Sequence, residues 1–205
     1  KKVFVNSFLS ESFIRIDILI LGYFLSDDKI GIYALAALFF EGIYQIPILL
    51  RNVFNPSINK YYKKSQINEL IRLIKYFTKI SFLLTITIVL GTLFIIFSLK
   101  NLNFIEIDNI FYNLLLILLL GNIIYSLISP SENILFIVNK PVQQSLYMAS
   151  ISSINILLNF YFINIYGLIG AAIGTISSYV IALIIYNFFI SKFTLLKKGL
   201  FFPLN

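Results

Sequence analysis

The stretch FVNSFLSESFIRIDILILGYFL, residues 4–25, and its neighbour IGIYALAALFFEGIYQIPILL, residues 30–50, decide how this chain is to be read. Each is predominantly apolar over about 20 residues, the length that a helix rising 1.5 Å per residue needs to cross a hydrocarbon core of about 30 Å. Each also carries ionisable groups near its midpoint, Arg15 and Asp17 in the first and Glu41 in the second. A charge at the centre of a membrane helix costs at least about 2.5–3.5 kcal/mol, so such residues turn toward a bundle interior or a watery cavity.

Working outward, the same reading finds six spans, 4–25, 30–51, 76–99, 109–129, 142–165 and 168–191. They predict an all-α polytopic membrane protein with one transmembrane domain over residues 1–205. The composition agrees: 59% of the residues are hydrophobic, 12% are charged and the mean hydropathy is +0.91, against about 25% charged residues in a soluble domain. The chain has no cysteine, histidine or tryptophan, which removes disulfides, thiol nucleophiles, imidazole bases and the usual zinc ligands. It begins at Lys1 rather than Met and reads as part of a longer polypeptide.

Loop charge predicts orientation, because Lys and Arg are retained on the cytoplasmic side. Of the basic residues, all but Arg15, Lys29 and Lys100 fall before the first span, around the second connection, around the fourth connection at Lys140, or after the sixth span. Both ends of the chain are therefore expected in the cytoplasm. The net charge of +7 reflects insertion and contact with membrane lipids rather than nucleic-acid binding.

In the long second connection Ile67, Leu70, Ile71, Ile74 and Phe77 recur at helical spacing, with Glu69, Arg72, Lys75 and Lys79 opposite. The pattern predicts an amphipathic helix, lying at the interface or extending the third span. Asn55-Pro56-Ser57 is expected to close the second helix, since proline disfavours helical geometry in the residue before it. Pro130 is expected to kink the end of the fourth span, and Pro141 to open the fifth.

Treated as antiparallel helices joined at residues 26–29, the first hairpin places Arg15 and Glu41 at one depth, about 15–17 Å from its turn. Glu11, four residues before Arg15, shares its face, whereas Asp17 points elsewhere. Two readings stay open: closed ion pairs that fix helix packing, or a cavity lined by Glu11, Arg15, Asp17 and Glu41, in which a guanidinium binds phosphate bidentately. Gly170, Gly174 and Ser178 recur every four residues and predict a helix-packing seam. A phosphate loop is excluded there, because no strand precedes the glycines and no Lys-Ser or Lys-Thr pair follows. Asn155 and Asn159 share one face of the fifth span, suited to interhelical hydrogen bonds.

Three stretches carry a resemblance: Arg15-Ile16-Asp17 to Leu21-Gly22; Ile30-Gly31-Ile32-Tyr33-Ala34 with Glu41, Ile46-Pro47 and Asn55-Pro56; and Asn155 to Asn159 with Tyr166-Gly167, Gly170, Gly174-Thr175 and Ser178-Tyr179. In this order and spacing the chain resembles the second half of Wzx-type polysaccharide flippases of the multidrug/oligosaccharidyl-lipid/polysaccharide (MOP) exporter superfamily. The resemblance implies the C-terminal six-helix lobe of a twelve-helix transporter, working by alternating access with an N-terminal lobe absent from this sequence. It implies translocation of undecaprenyl-pyrophosphate-linked oligosaccharide across the bacterial cytoplasmic membrane for polysaccharide biosynthesis. Arg15 would contact the pyrophosphate or an anionic sugar. Asp17 and Glu41 would couple transport to protons or cations or hold the hairpin, with no other cofactor.

A drug or cation antiporter of the MATE type shares the same fold and stands as the alternative. A membrane enzyme of polysaccharide assembly would need a base or nucleophile on a loop. Histidine and cysteine are lacking, and the outer loops are short, so a non-enzyme is expected.

Overall fold

The computed structural model describes residues 16–102, 108–196 and 200. Every regular element among them is helical. Residues 16–24 form the described part of α1, followed by α2 (Asp27–Lys63), α3 (Ile67–Asn101), α4 (Asn109–Ile128), a 3-10 turn (Ser129–Ser131), α5 (Ile134–Ile137), α6 (Pro141–Tyr166) and α7 (Leu168–Phe193). Among the described residues five segments are long and apolar enough to span a membrane: α2, α3, α4 through to Ile137, α6 and α7. The first expected span, 4–25, lies only partly within them.

The second helix does not close at Asn55-Pro56-Ser57, and that expectation is corrected. α2 runs unbroken for 37 residues through both Pro47 and Pro56. Each proline removes only one N–H from the ladder, a loss that membrane helices tolerate when neighbours hold the chain in place. The neighbours are present: Phe54 stacks face to face on Phe77 of α3, and Ile58, fully buried, packs in one cluster with Leu70 and Ile74. The amphipathic stretch around residues 67–79 is thus the beginning of α3 rather than a separate surface helix. At 37 and 35 residues, α2 and α3 are about 55 and 52 Å long and outrun a hydrocarbon core of about 30 Å.

The other ends follow local chemistry. Asp108 caps α4, its carboxylate accepting from Ile110 N–H at 3.1 Å, which satisfies one otherwise orphaned donor. α4 stops at Ile128, and Pro130 sits in the turn that follows. α5 ends with Asn139 at φ 60° while the N–H of Lys140 donates to the Leu135 carbonyl at 2.8 Å, a left-handed C-terminal closure that asparagine tolerates. Pro141 is the first residue of α6, as expected. Gly167 alone joins α6 to α7 with φ 59° and ψ −130°, a conformation that a side chain would strain.

α6 and α7 form the most extensive helix pair, α4 packs on α2 and on α7, and α3 covers α2 and α4 from outside. Leu90, Phe94, Ile95 and Phe97 of α3 are exposed, as a lipid-facing helix requires. Helices in lipid gain little from hiding apolar side chains from one another, so close packing and interhelical hydrogen bonds hold such bundles together. Asn122 of α4 donates to the Phe40 carbonyl of α2 at 3.0 Å. Asn155 of α6 donates to the Ser178 hydroxyl of α7 at 3.1 Å, and Asn159 donates back to the Asn155 carbonyl at 3.0 Å.

Candidate functional site

Two carboxylates are buried within the described bundle, and each is held by a tyrosine. Asp17 is 5% exposed. One of its oxygens accepts the Tyr33 hydroxyl of α2, and the other accepts the N–H of Ile18 at 2.8 Å. The residues around it, Ile20, Leu21, Ala36 and Ala37, belong to the main apolar cluster, so Tyr33 supplies the polar contact that a carboxylate needs there. Glu41, further along α2, is half-buried and close enough for its charge to act on Asp17.

Tyr33→Phe therefore leaves Asp17 buried with only a backbone donor. It is expected to lower the stability of the solubilised protein by about 1–3 kcal/mol, the cost of stranding a buried acceptor. A thermal-shift comparison with Tyr23→Phe, whose ring is exposed, checks this: equal melting of the two variants would show that the contact is dispensable.

The second carboxylate, Glu132, follows the 3-10 turn. It forms an ion pair with Arg51 of α2 and accepts the Tyr125 hydroxyl of α4 at 2.8 Å; Arg51 also donates to the Tyr125 hydroxyl at 3.3 Å. The side chains of Arg51 and Glu132 are 13% and 11% exposed. The turn itself is held from several sides. Tyr186 of α7 donates to the Ser131 carbonyl, and the Ser131 hydroxyl donates to the Ile128 carbonyl at 2.9 Å. Carbonyls released where α4 breaks thus find hydroxyl donors, which is what makes a helix break tolerable at this depth.

Between the two carboxylates lies a column of tyrosines. Tyr44 stacks on Tyr125 with ring centroids 4.1 Å apart, and Tyr179 of α7 completes the group at 5.5 Å from Tyr125 and 6.4 Å from Tyr44. The Tyr44 hydroxyl sits beside those of Tyr125 and Tyr179, while Tyr33 has Thr175 and Tyr179 of α7 as neighbours. All four rings are buried.

Of the residues expected to line a cavity, Glu11 and Arg15 lie outside the described residues, Asp17 is buried on α1 against Tyr33 of α2, and Glu41 is half-buried on α2. Gly170 and Gly174 face α6. A Cβ at Gly170 would run into the Phe162 carbonyl, and one at Gly174 would lie 3.1 Å from the backbone nitrogen of Asn159. Ser178, on the same face, receives Asn155.

Arg51 and Glu132 escaped the sequence reading. Arg51 reads as one more cationic residue flanking a span, because the sequence places the helix end at Pro56 soon after it. Its signal is the apolar Ile48, Leu49 and Leu50 before it and Val53 and Phe54 after it, a context in which a lone arginine needs a partner. Glu132, alone in an apolar run from Asn109 to Val138 apart from Asn and Ser residues, is that partner.

No protein-family model matches the chain, and no curated protein matches it in sequence. Solved structures do match in shape. One is described as the outward-facing conformation of a multidrug resistance MATE family transporter of the MOP superfamily; it superposes with a TM-score of 0.76 at 18% identity, over 98% of this chain and 44% of that one. Another, a MOP superfamily transporter from Pyrococcus furiosus Vc1 whose binding pocket is described as reversed in polarity, superposes with a TM-score of 0.76 at 18% identity, over 100% of this chain and 45% of that one. The chain shares the fold of about half of each of these two structures. The chain spans under half the length of the solved structures that it matches.

Proposed function

We propose that this chain is the C-terminal lobe of a flippase that carries undecaprenyl-pyrophosphate-linked oligosaccharide from the inner to the outer leaflet of the bacterial cytoplasmic membrane. The observation that supports a transporter is the helical bundle itself, with five spanning segments among the described residues, similar to half of each of two MOP superfamily transporters. Such proteins work as paired lobes around a site near mid-membrane, so an N-terminal six-helix lobe is the necessary partner. Both ends of this lobe face the cytoplasm in this reading, with the basic α2–α3 tip among anionic head groups.

The choice of an anionic, lipid-linked substrate rests on the first hairpin. Arg15 is the phosphate contact, because a guanidinium pairs with phosphate oxygens bidentately and stays charged at any working pH. Glu11 and Glu41 balance that charge when the cavity is empty and release it when substrate arrives, while Asp17 is held by Tyr33. Protons or cations taken up by these carboxylates drive the cycle.

The test is to express the complete transporter in a flippase-deficient strain of its own pathway and follow the undecaprenyl-linked precursor. Wild type is expected to clear it. Arg15→Ala, at equal membrane level, should slow clearance by about ten-fold or more, the loss of one charge-assisted hydrogen bond in the rate-limiting state. Failure of wild type to clear precursor, together with efflux of cationic drugs, would replace this reading with a MATE-like antiporter. An Arg15→Ala variant as active as wild type would make Arg15 a packing residue.

A further inference from the structure

The tyrosine column is more polar than helix packing requires. Tyr33, Tyr44, Tyr125 and Tyr179 are buried at sites where phenylalanine would fill the same volume without a hydroxyl to satisfy. The four hydroxyls lie between the two buried carboxylates: Asp17 bonds Tyr33 at one end, and Tyr125 bonds Glu132 at the other. Tyr33 and Arg51 are eighteen residues apart on α2, about 27 Å along the helix and nearly the thickness of a hydrocarbon core.

The end at Glu132 holds buried polar atoms that the protein itself leaves unsatisfied. The Phe54–Phe77 stack sets α2 against antiparallel α3, a register that brings Ser81 level with Leu50, next to Arg51, and Thr85 level with Ile46, next to Pro47. The hydroxyls of Ser81, Thr85 and Ser129 and the Nε of Arg51 are all buried without a protein partner, and the three hydroxyl residues are fully buried. Ser129 belongs to the 3-10 turn, which contacts both α2 and α3. Buried polar atoms gathered in this way are ordinarily satisfied by ordered water.

We propose that Asp17 and Glu132 are the two ends of a proton path through this lobe, relayed by the hydroxyls of Tyr33, Thr175, Tyr179, Tyr44 and Tyr125 and fed at the Glu132 end by water held among α2, α3 and the 3-10 turn. The path deepens the transporter reading by naming how one lobe moves its coupling ion. In one passage a proton taken from solution is handed along that water to the Glu132 carboxylate. Glu132 gives it to the Tyr125 oxygen as Tyr125 releases its own proton to Tyr44. The exchange repeats through Tyr179 and then Thr175, one turn earlier on α7 and beside the Tyr33 hydroxyl, and the proton that Tyr33 releases lands on Asp17. Glu132 is again a carboxylate, Asp17 is a neutral acid until it releases its proton on the far side, and each hydroxyl rotates to reset. Arg51 keeps its charge throughout and restores Glu132 to the ionised form. The groups facing Glu132 are Arg51 and Tyr44 of α2, Tyr125 of α4, Tyr147 of α6 and Tyr186 of α7. Those facing Asp17 are Tyr33 and Glu41 of α2 and Tyr179 of α7.

Phenylalanine keeps the ring stack and removes only the relay, so it separates conduction from folding. The complete transporter, reconstituted in liposomes containing a pH-sensitive dye, is driven by a potassium diffusion potential with valinomycin. Wild type should admit protons faster than protein-free liposomes. Tyr44→Phe and Tyr125→Phe should each lower that protein-dependent rate by about ten-fold or more, the effect expected of losing a positioned proton-transfer group. Tyr161→Phe, at an exposed ring, should not. The path is refuted by wild-type liposomes no faster than empty ones, or by Tyr44→Phe and Tyr125→Phe variants that conduct as wild type does. If wild type still clears precursor in cells while its liposomes admit no protons, the path falls and the flippase reading stands.

Discussion

Glu132→Ala is expected to be among the most damaging single substitutions in this chain, lowering stability by about 3–5 kcal/mol. The change strands the Arg51 guanidinium, 13% exposed, without its counter-charge, and breaking a buried pair by removing one partner costs that much. In a chain of this size the loss corresponds to a fall of roughly 10 °C or more in the melting temperature of the solubilised protein. Removing both charges together is different. Arg51→Met with Glu132→Leu takes away the desolvation penalty along with the attraction, and pairs replaced in this way often become neutral or more stable. The double variant should therefore recover most of the lost melting temperature, while the Tyr125 hydroxyl, left without its acceptor, keeps recovery about 1 kcal/mol short of complete. Size-exclusion profiles taken after heating will read all three. A double variant as poor as Glu132→Ala would mean that the pair attracts well beyond its desolvation cost, and an unaffected Glu132→Ala would mean that the pair holds nothing.

Gly170→Ala is the second large effect. The added methyl would collide with the Phe162 carbonyl and the adjoining Ile163 nitrogen, backbone atoms of α6 that cannot swing aside. α6 and α7 would have to separate, at an expected cost of about 3 kcal/mol, the upper part of the usual range for overpacking. Gly174→Ala should cost less, because its nearest contacts stand at 3.1 Å. Gly91 provides the control. It lies in α3 with nothing within 4 Å of its would-be Cβ, so Gly91→Ala should be neutral or stabilise by up to about 1 kcal/mol through helix propensity alone. Parallel melts of the three variants test the seam, and equal behaviour of Gly170→Ala and Gly91→Ala would remove it.

What the residues disclosed in advance, and what they hid, separates along physical lines. Helix type and number follow from unbroken apolar length, which is a property of neighbours in sequence. The start of α6 at Pro141 and the glycine spacing on α7 are likewise local. The continuation of α2 past Pro56 is not, because it depends on Phe77, Leu70 and Ile74 of another helix offering surfaces for Phe54 and Ile58. The same holds for the site. Asp17 and Glu41 stand out as charges inside apolar spans, whereas Arg51 looks like a boundary residue until α2 is known to run on beyond it. Glu132 looks like part of a loop until the break after α4 is found packed against α2. The tyrosines are uninformative in sequence, since a tyrosine at a helix face serves lipid, interface or core equally well, and only the meeting of α2, α4 and α7 sorts them.

The uninterrupted run of α2 through two prolines has a mechanical consequence. A helix of 37 residues extends over about 55 Å, and because it stays helical across Pro47 and Pro56 a tilt at one end is carried toward the other. Rocking such a helix by about 10° displaces its far tip by roughly 10 Å. A small repacking beside Asp17 and Tyr33 would then appear at the other surface as a broad sweep of the α2–α3 tip, so the lobe gears a short stroke at one face into a long one at the other.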